Sequence, residues 1–505
     1  MINNVTKWLD DSAAKYGEKI AYADEKQELS FRETQERSLE LARHILQVSG
    51  YSRKNPVVIY LEKSVDMLVS FFATAYSGNF YTPIDIHMPK ERVEKILALL
   101  EPRIIITKTE YNEFLDELGT DVPRICIDEP YEAGDREFKD VYEHREKCID
   151  SDLLYVFFTS GSTGVPKGVT ICHRSVIDYI DCIENTFKMD SNDIYGNQAP
   201  FYFDNSILDI YTTMKTGAKM YIIPERFFGW PGELMDYIVE KKINTIFWVP
   251  SALIIVAKLH TLDSYDLDGK LKKIMFCGEV MPNKQLNEWR RNIPNALYAN
   301  IYGPTEITDA CTYYIVDREF ADDEPLPIGK AMHNTDIIVL NEHDEPVAEN
   351  EIGELCVRGV SLSMGYYNNP EKTAEAFVQN PLNHAYIELI YRTGDLVKYN
   401  DRGEILYLSR KDFQIKHMGH RIELGEIETA VSSLPEISLN CCLYDEKRSK
   451  IVLFVEGDVQ LESINSRISR MIPEYMLPGR LITLESMPFN SNGKIDRKAL
   501  KETYL

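Results

Sequence analysis

The segment LLYVFFTSGSTGVPKGV, residues 153–169, runs an apolar stretch into a loop dense in serine, threonine and glycine and ends it near Lys167. Such a loop offers backbone N–H groups, hydroxyls and one ammonium to an anion, which is the donor set a polyphosphate needs. It is not a Walker A loop, because G-x-x-x-x-G-K-[ST] requires lysine directly before Ser or Thr and Lys167 stands between Pro166 and Gly168. A flexible connector of the same composition is the plain alternative. Three more residues invite both a chemical and a structural reading. Asp395 sits in Thr-Gly-Asp, which is also good turn chemistry, and Asp204 sits in FDNS, which is also a helix-capping pattern. Lys494 follows Asn492 and Gly493, a turn that projects an ammonium, yet it also lies among Lys498 and Lys501 near a charged terminus.

The elements that must position these groups alternate. Ser30 followed by Glu33 is a capping-box pattern, and Leu39, Ala42, Ile45 and Leu46 then recur at helical spacing. The run Val57 to Leu61, the helix-like Val65 to Tyr76 ending at Gly78, the strand YTPI, the helix Pro89 to Leu100 and the strand Arg103 to Thr107 follow in order. Strand candidates at Asn244 to Val249 and Lys273 to Cys277 continue the pattern, which implies largely parallel sheets covered by helices. After about residue 330 the character changes to short strands and turns, TDIIVLNEHDEPV, GELCVRG and GEILYLS, a β-rich subdomain. From about Lys411 onward, the amphipathic Glu426 to Leu434, strand-like IVLFVEG and helix-like Leu461 to Met471 indicate a small α+β domain. The expected fold is α/β, with a large N-terminal lobe at 1–411 and a small α+β C-terminal domain at 412–505.

Composition narrows the partners. The 505 residues carry 56 Lys plus Arg against 80 Asp plus Glu, a net charge of −24, which argues against nucleic acid or an anionic membrane. Nine scattered cysteines with no C-x-x-C pair indicate neither a zinc ribbon nor a disulfide framework, and suggest a reducing compartment. The N-terminus lacks a signal-peptide h-region and no long uncharged apolar run occurs, so membrane insertion is not expected and the location is read as cytoplasmic.

TSGSTGVPKG at 159–168 resembles the phosphate-binding signature of the adenylate-forming superfamily, which holds acyl-CoA synthetases, luciferases and the adenylation domains of nonribosomal peptide synthetases. NIYGPTE at 300–306, GELCVRG at 353–359, YRTGD at 391–395, RKDFQIKHMGHRIELGEIE at 410–428 and NSNGKIDRKAL at 490–500 agree in order and spacing, so the resemblance spans the chain. GNFYTPIDIHMPKERVEKIL, QAPFYFDNSILDIY, FCGEVMP and PEYMLP are similar to the amino-acid-activating branch, and especially to stand-alone D-alanine carrier-protein ligases. Acyl-CoA synthetases and luciferases commonly carry His where Phe201 stands, and Ser409 replaces a Gly common before Arg410.

The resemblance implies ATP and Mg²⁺ as cofactors and a catalytic set of Lys494, Thr305 and Glu306. Thr159, Ser160, Gly161, Thr163 and Lys167 would surround the phosphates, with Thr305 touching phosphate and Glu306 holding Mg²⁺ as a hard oxygen ligand. Tyr302 would stack on adenine and Asp395 would accept the ribose hydroxyls with Arg410 nearby, while Gly278, Glu279, Asn300 and Gly303 complete the ATP site. Asp412 matches the hinge about which the family rotates its small domain, and Gly419 would then line the thiol tunnel.

Carried over by motif, the amino-acid pocket comprises Asp204, Asn205, Leu208, Ser251, Met275, Cys277, Ile301, Asp309 and Ala310, with Asp204 receiving the substrate α-ammonium. Asn205 and Asp309 depart from the D-alanine ligases, which keep both places apolar. Two polar groups suggest a hydroxyl, amide or ammonium on the substrate, or else an Asp309–Asn205 bond that closes the pocket. Alanine and small polar or basic amino acids lead the candidates.

The chain ends at Leu505 soon after NGKIDRK with no carrier domain, so an acyl or peptidyl carrier protein is expected in trans, and Lys411, Lys416, His417, Arg421, Lys447 and Arg448 could form a basic surface for it. An acid-CoA ligase is the alternative enzyme reading, disfavoured by Asp204 and Phe201. A catalytically silent nucleotide-binding scaffold is the alternative from another class, opposed by Lys167, Glu306, Asp395 and Lys494.

Overall fold

The computed structural model describes residues 2–130, 137–161, 165–412, 414–457, 459–489 and 495–505. The chain divides into two compact units. The larger takes residues 1–86, 101–157 and 169–411, and the smaller takes 87–100, 158–168 and 412–505.

Two large sheets form the frame of the larger unit. One has nine strands in the order Lys330–Ala331, Thr312–Ile315, Leu297–Tyr302, Lys273–Cys277, Thr245–Trp248, Ile194–Asn197, Lys219–Ile222, Ile20–Ala23 and Glu28–Ser30. Its six inner strands pair in parallel, and antiparallel strands close each end. The other sheet has six strands in the order Arg124–Cys126, Ile104–Thr107, Pro56–Tyr60, Phe80–Ile84, Leu153–Thr159 and Lys167–Cys172. Its strands Pro56–Tyr60 and Phe80–Ile84 are buried at every residue, which explains why PVVIY and FYTPI lack polar alternation.

Local chemistry sets the helix ends. The Ser30 hydroxyl accepts from the Glu33 N–H at 3.2 Å and the Glu33 carboxylate accepts from the Ser30 N–H at 2.8 Å, so the capping box opens the helix Phe31–Ser49. Ser64 caps Val65–Tyr76, whose eleven buried residues make it a core helix between sheet strands in sequence. Residues 335–410 supply the expected β-rich part, an antiparallel sheet built from Thr335–Leu340, Gly353–Gly359, Leu389–Tyr399, Phe377–Gln379 and Ile405–Arg410.

The smaller unit contains the hairpin Gln414–His417 and His420–Glu423, and a three-stranded sheet of Asn440–Asp445, Lys450–Glu456 and Arg480–Leu484. The helices Leu424–Ser432 and Leu461–Ile468 bury Ile427, Val431, Ile464 and Ile468 in one apolar cluster with Leu453 and Val455. The second helix stops at Ile468, short of the Met471 that periodicity suggested. All nine cysteines are free, eight of them buried. No helix among the described residues is long and apolar enough to cross a membrane.

Candidate active site

In the larger unit the strand Leu297–Tyr302 delivers Tyr302 and Gly303 into a sharp return. A Cβ on Gly303 would meet Ala310 Cα at 2.4 Å and the Asp309 carbonyl oxygen at 2.6 Å, so only glycine lets the chain double back this tightly. Between them lies the turn Thr305–Ile307, with Thr305 half-buried and Glu306 fully buried. Glu306 accepts a hydrogen bond from the Tyr366 hydroxyl at 2.8 Å, and its carbonyl accepts from the Ser363 N–H at 2.8 Å. Thr308 and Asp309 both hold left-handed backbone, with φ of 57° and 67°. That conformation is unusual for a β-branched threonine, and the Thr308 hydroxyl is tied to the Ser361 carbonyl at 2.9 Å.

Beside this return, Asp395 lies on the strand Leu389–Tyr399 in register with Arg410 on Ile405–Arg410. Arg410 donates to the Asp395 carboxylate at 2.7 Å and the Tyr302 hydroxyl donates to its other oxygen. The Asp395 N–H donates to the Thr393 hydroxyl at 3.0 Å, and the carboxylate is 2% exposed. Burial first, and the Asp395 charge second, raise the Tyr302 hydroxyl well above its ordinary pKa, so it remains a donor. Asp395 is therefore more than a surface turn residue: it is the centre of a buried Tyr–Asp–Arg cluster. Asn300 is buried on the same strand as Tyr302, and its amide donates to the Pro327 carbonyl at 2.9 Å.

The proposed pocket positions also lie in the larger unit. Leu208, Met275, Cys277, Ile301 and Ala310 are all buried in its main apolar cluster. Asp204 is 8% exposed and precedes the helix Ser206–Thr216, whose cap position is Asn205 without a side-chain cap bond. Asp204 is therefore buried at the start of that helix rather than on the surface. Asn205 Nδ2 would lie 3.6 Å from a Cβ on Gly278, whose φ of +99° favours glycine, and Glu279 accepts from the Ser251 N–H at 2.9 Å. Asp309 is 1% exposed and receives the Tyr179 hydroxyl; its hydrogen bond is to Tyr179, not to Asn205. Its other oxygen has no hydrogen-bond partner among the described residues. Burial, then the neighbouring Asp204 charge, push the Asp309 carboxyl well above the usual carboxylate range. Tyr155, in the Leu153–Thr159 strand, feels both Asp204 and Asp309 and has a buried hydroxyl with no partner among the described residues.

The glycine-rich loop falls in the smaller unit. Gly161 is required there, because a Cβ would meet the Val165 carbonyl oxygen at 1.9 Å. The Thr159 hydroxyl is buried without a partner among the described residues, and Ser160 donates to the Arg421 carbonyl at 3.0 Å. Lys167 stands 3.5 Å from Glu423, and Arg92 forms a buried ion pair with Glu426. Gly419 closes the hairpin with Met418 at φ of 81° and 53°, both left-handed, between the paired His417 and His420. Asp412 is exposed and its carboxylate accepts from the Gln414 N–H at 3.2 Å. Thr163 and Lys494 lie outside the described residues. Of the suggested basic surface, Arg421 bonds Gln414, Arg448 bonds Asp445 and Lys447 bonds the Leu505 carbonyl. In the larger unit Lys411 pairs with Glu354.

Sequence reasoning did not single out Tyr155, Tyr179 or Tyr366. Tyr179 lies on the buried face of the helix His173–Phe187 and reads as ordinary core, and its partner is 130 residues away.

A parallel-rich α/β lobe that carries a buried Tyr–Asp–Arg cluster and a sharp glycine return bearing a buried glutamate is the fold of an adenylate-forming enzyme. The AMP-binding enzyme family matches residues 9–367, and the chain belongs to that family of ATP-using ligases. It is 31% identical to zwittermicin A synthase ZmaJ of Bacillus cereus, over 98% of this chain and 94% of that protein. It is also 31% identical to the D-alanine--D-alanyl carrier protein ligase of Lacticaseibacillus casei, over 99% of both chains. Tyrocidine synthase 1 of Brevibacillus parabrevis is 29% identical over 99% of this chain, which spans 45% of that longer protein. The fold matches the Vibrio cholerae adenylation domain AlmE, solved with glycyl-adenosine-5'-phosphate, at a TM-score of 0.84 and 24% identity, covering 99% of this chain and 98% of that one.

Proposed function

We propose that the chain activates an amino acid with ATP, forming an aminoacyl adenylate and releasing pyrophosphate, and then passes the aminoacyl group to the phosphopantetheine thiol of a carrier protein supplied by another chain. The observation that carries the amino-acid part is Asp204, a buried carboxylate electrostatically linked to Asp309 and Tyr155. An α-ammonium makes a charge-assisted hydrogen bond to it that a fatty or aryl acid cannot make. The carrier part is supported by full-length similarity to a carrier protein ligase.

In the first half-reaction the substrate carboxylate oxygen attacks the α-phosphorus of ATP and pyrophosphate leaves. Asp395, already held by Tyr302 and Arg410, accepts the ribose hydroxyls, and the Tyr302 ring faces the base. The partnerless Thr159 hydroxyl, the loop at Gly161 and the Lys167 ammonium suit the phosphates. A buried glutamate also suits a hard cation, and Mg²⁺ held by Glu306 would offset charge on the phosphates. Lys494 bridges the substrate carboxylate and the adenylate phosphate oxygens, stabilising charge as it develops. In the second half-reaction the carrier thiolate attacks the acyl carbon and AMP leaves. The 412–505 domain turns about Asp412 between the two steps, and Gly419 then lines the thiol path. The enzyme works in the cytoplasm, which suits nine cysteines that form no disulfide.

The test is loading of a phosphopantetheinylated carrier protein, read by intact-protein mass. An aminoacyl mass increment that needs ATP and an amino acid supports the reading. A carrier left unmodified while coenzyme A is acylated by acetate or benzoate would overturn it in favour of an acid-CoA ligase.

A further inference from the structure

We propose that the pocket selects an amino acid whose short side chain ends in an ammonium, with Asp204 holding the α-ammonium and Asp309 the second one. The proposal rests on the amino-acid-activating reading and adds the substrate class.

Asp309 is wholly buried, and one carboxylate oxygen is taken by the Tyr179 hydroxyl while the other has no partner. An acceptor left this way costs about 1–3 kcal/mol, so a ligand that supplies a donor is favoured over one that does not. The group is also fixed in place. Asp309 sits in left-handed backbone after a left-handed Thr308, pinned by the Thr308–Ser361 bond and by the Cys311 N–H to the Tyr302 carbonyl at 2.9 Å. Its carboxylate is held in turn by the Tyr179 hydroxyl.

Charge decides between a neutral and a cationic donor. Asp204 and Asp309 lie close enough for the charge of one to act on the other, and Asp209 adds a third, weaker negative influence. Tyr155 and Tyr179, the tyrosines that feel Asp309, are held as neutral hydroxyls by burial. A monoamino substrate brings one positive charge to two carboxylates. A diamino acid brings two, one for each carboxylate, and offsets the burial and the mutual repulsion that penalise a charge on Asp309. The side chain must be short, because five of the remaining pocket positions, Leu208, Met275, Cys277, Ile301 and Ala310, are apolar and buried and offer no charge to a cation that reaches past Asp309. Tyr179 is a positioning residue in this scheme, since it holds one Asp309 oxygen and leaves the other for substrate.

The experiment is ATP–pyrophosphate exchange by the whole chain on near-isosteric pairs: diaminopropionate against aminobutyrate, diaminobutyrate against norvaline, and ornithine against norleucine, each as both enantiomers, with alanine, serine, acetate and benzoate beside them. At least one diamino acid should exceed its alkyl partner by roughly tenfold or more in kcat/KM. Asp309→Asn should bring that ratio to one or below. Should the variant fail to fold, the wild-type ratios decide alone. Alanine, serine or an alkyl partner as the best substrate overturns the proposal while leaving amino-acid activation intact, and means that Tyr179 alone satisfies Asp309. Exchange with acetate or benzoate and with no amino acid overturns the underlying reading, and this proposal with it.

Discussion

Replacing Gly303 by alanine is the sharpest structural perturbation of the site. The added Cβ would lie 2.4 Å from Ala310 Cα and 2.6 Å from the Asp309 carbonyl oxygen, where ordinary carbon contacts are about 3.5–4.0 Å. Both obstacles are backbone, so no rotamer change relieves them, and the 303–310 return must open by about 1 Å. Overpacking of this kind costs about 1–3 kcal/mol, and a rigid backbone obstacle puts it in the upper half. The same opening moves Asp309 and the Glu306 turn, so activity should fall more than stability. Urea unfolding followed by intrinsic fluorescence, with amino-acid-dependent exchange on the same samples, measures both. Gly232→Ala is the control: nothing lies within 4 Å of its added Cβ and it sits in the first turn of Pro231–Lys241, so stability should hold or rise by about 0.5–1 kcal/mol. A Gly303→Ala protein as stable and as active as the control would refute the steric account of the return.

Three further outcomes follow from single observations. Asp395→Ala leaves the buried Arg410 guanidinium and the Tyr302 hydroxyl without their carboxylate, and should raise the KM for ATP at least roughly tenfold while shifting the amino-acid KM less; equal shifts would place Asp395 outside the nucleotide site. Buried His173 titrates at about 4 in the folded chain, held down by desolvation against a partial opposing effect of Asp152, and ordinarily near 6.5, so it is neutral in the fold. Its contribution is fully present above pH 6.5 and is lost as pH falls toward 4, about 3 kcal/mol in all; wild type should lose stability relative to His173→Gln across that window, and parallel profiles would contradict the assignment. Arg92 and Glu426 form an ion pair with both side chains 4% exposed, so Arg92→Met should cost about 3–5 kcal/mol by urea unfolding, and Arg92→Met with Glu426→Leu should recover most of it; a double variant as weak as the single one would show that packing, not an orphaned charge, sets the cost.

What could be read from the sequence was what local chemistry determines. The capping box at Ser30 and Glu33, the helix Val65–Tyr76 and the strand Lys273–Cys277 each depend on spacing within a few residues. Sheet order was not legible, because Ile20–Ala23 pairs with Lys219–Ile222, about 200 residues away, and no local pattern records that neighbour. The smaller unit likewise gathers 87–100 and 158–168 with 412–505, an assembly that depends on distant contacts such as Arg92–Glu426 and Lys167–Glu423. In the site, motif spacing pointed to Asp395 and Tyr302, but their shared hydrogen bond spans 93 residues and only the fold reveals it. Tyr179 was invisible for a different reason: on an amphipathic helix a buried tyrosine looks like core, and its hydroxyl matters only once Asp309 is placed against it.

The central claim is that this chain makes an aminoacyl adenylate, and ATP–pyrophosphate exchange tests it most directly. Label from pyrophosphate should enter ATP only when an amino acid is present, and Lys494→Ala should abolish that exchange while the protein still binds ATP. Exchange that ignores amino acids, or that survives Lys494→Ala unchanged, would contradict the account.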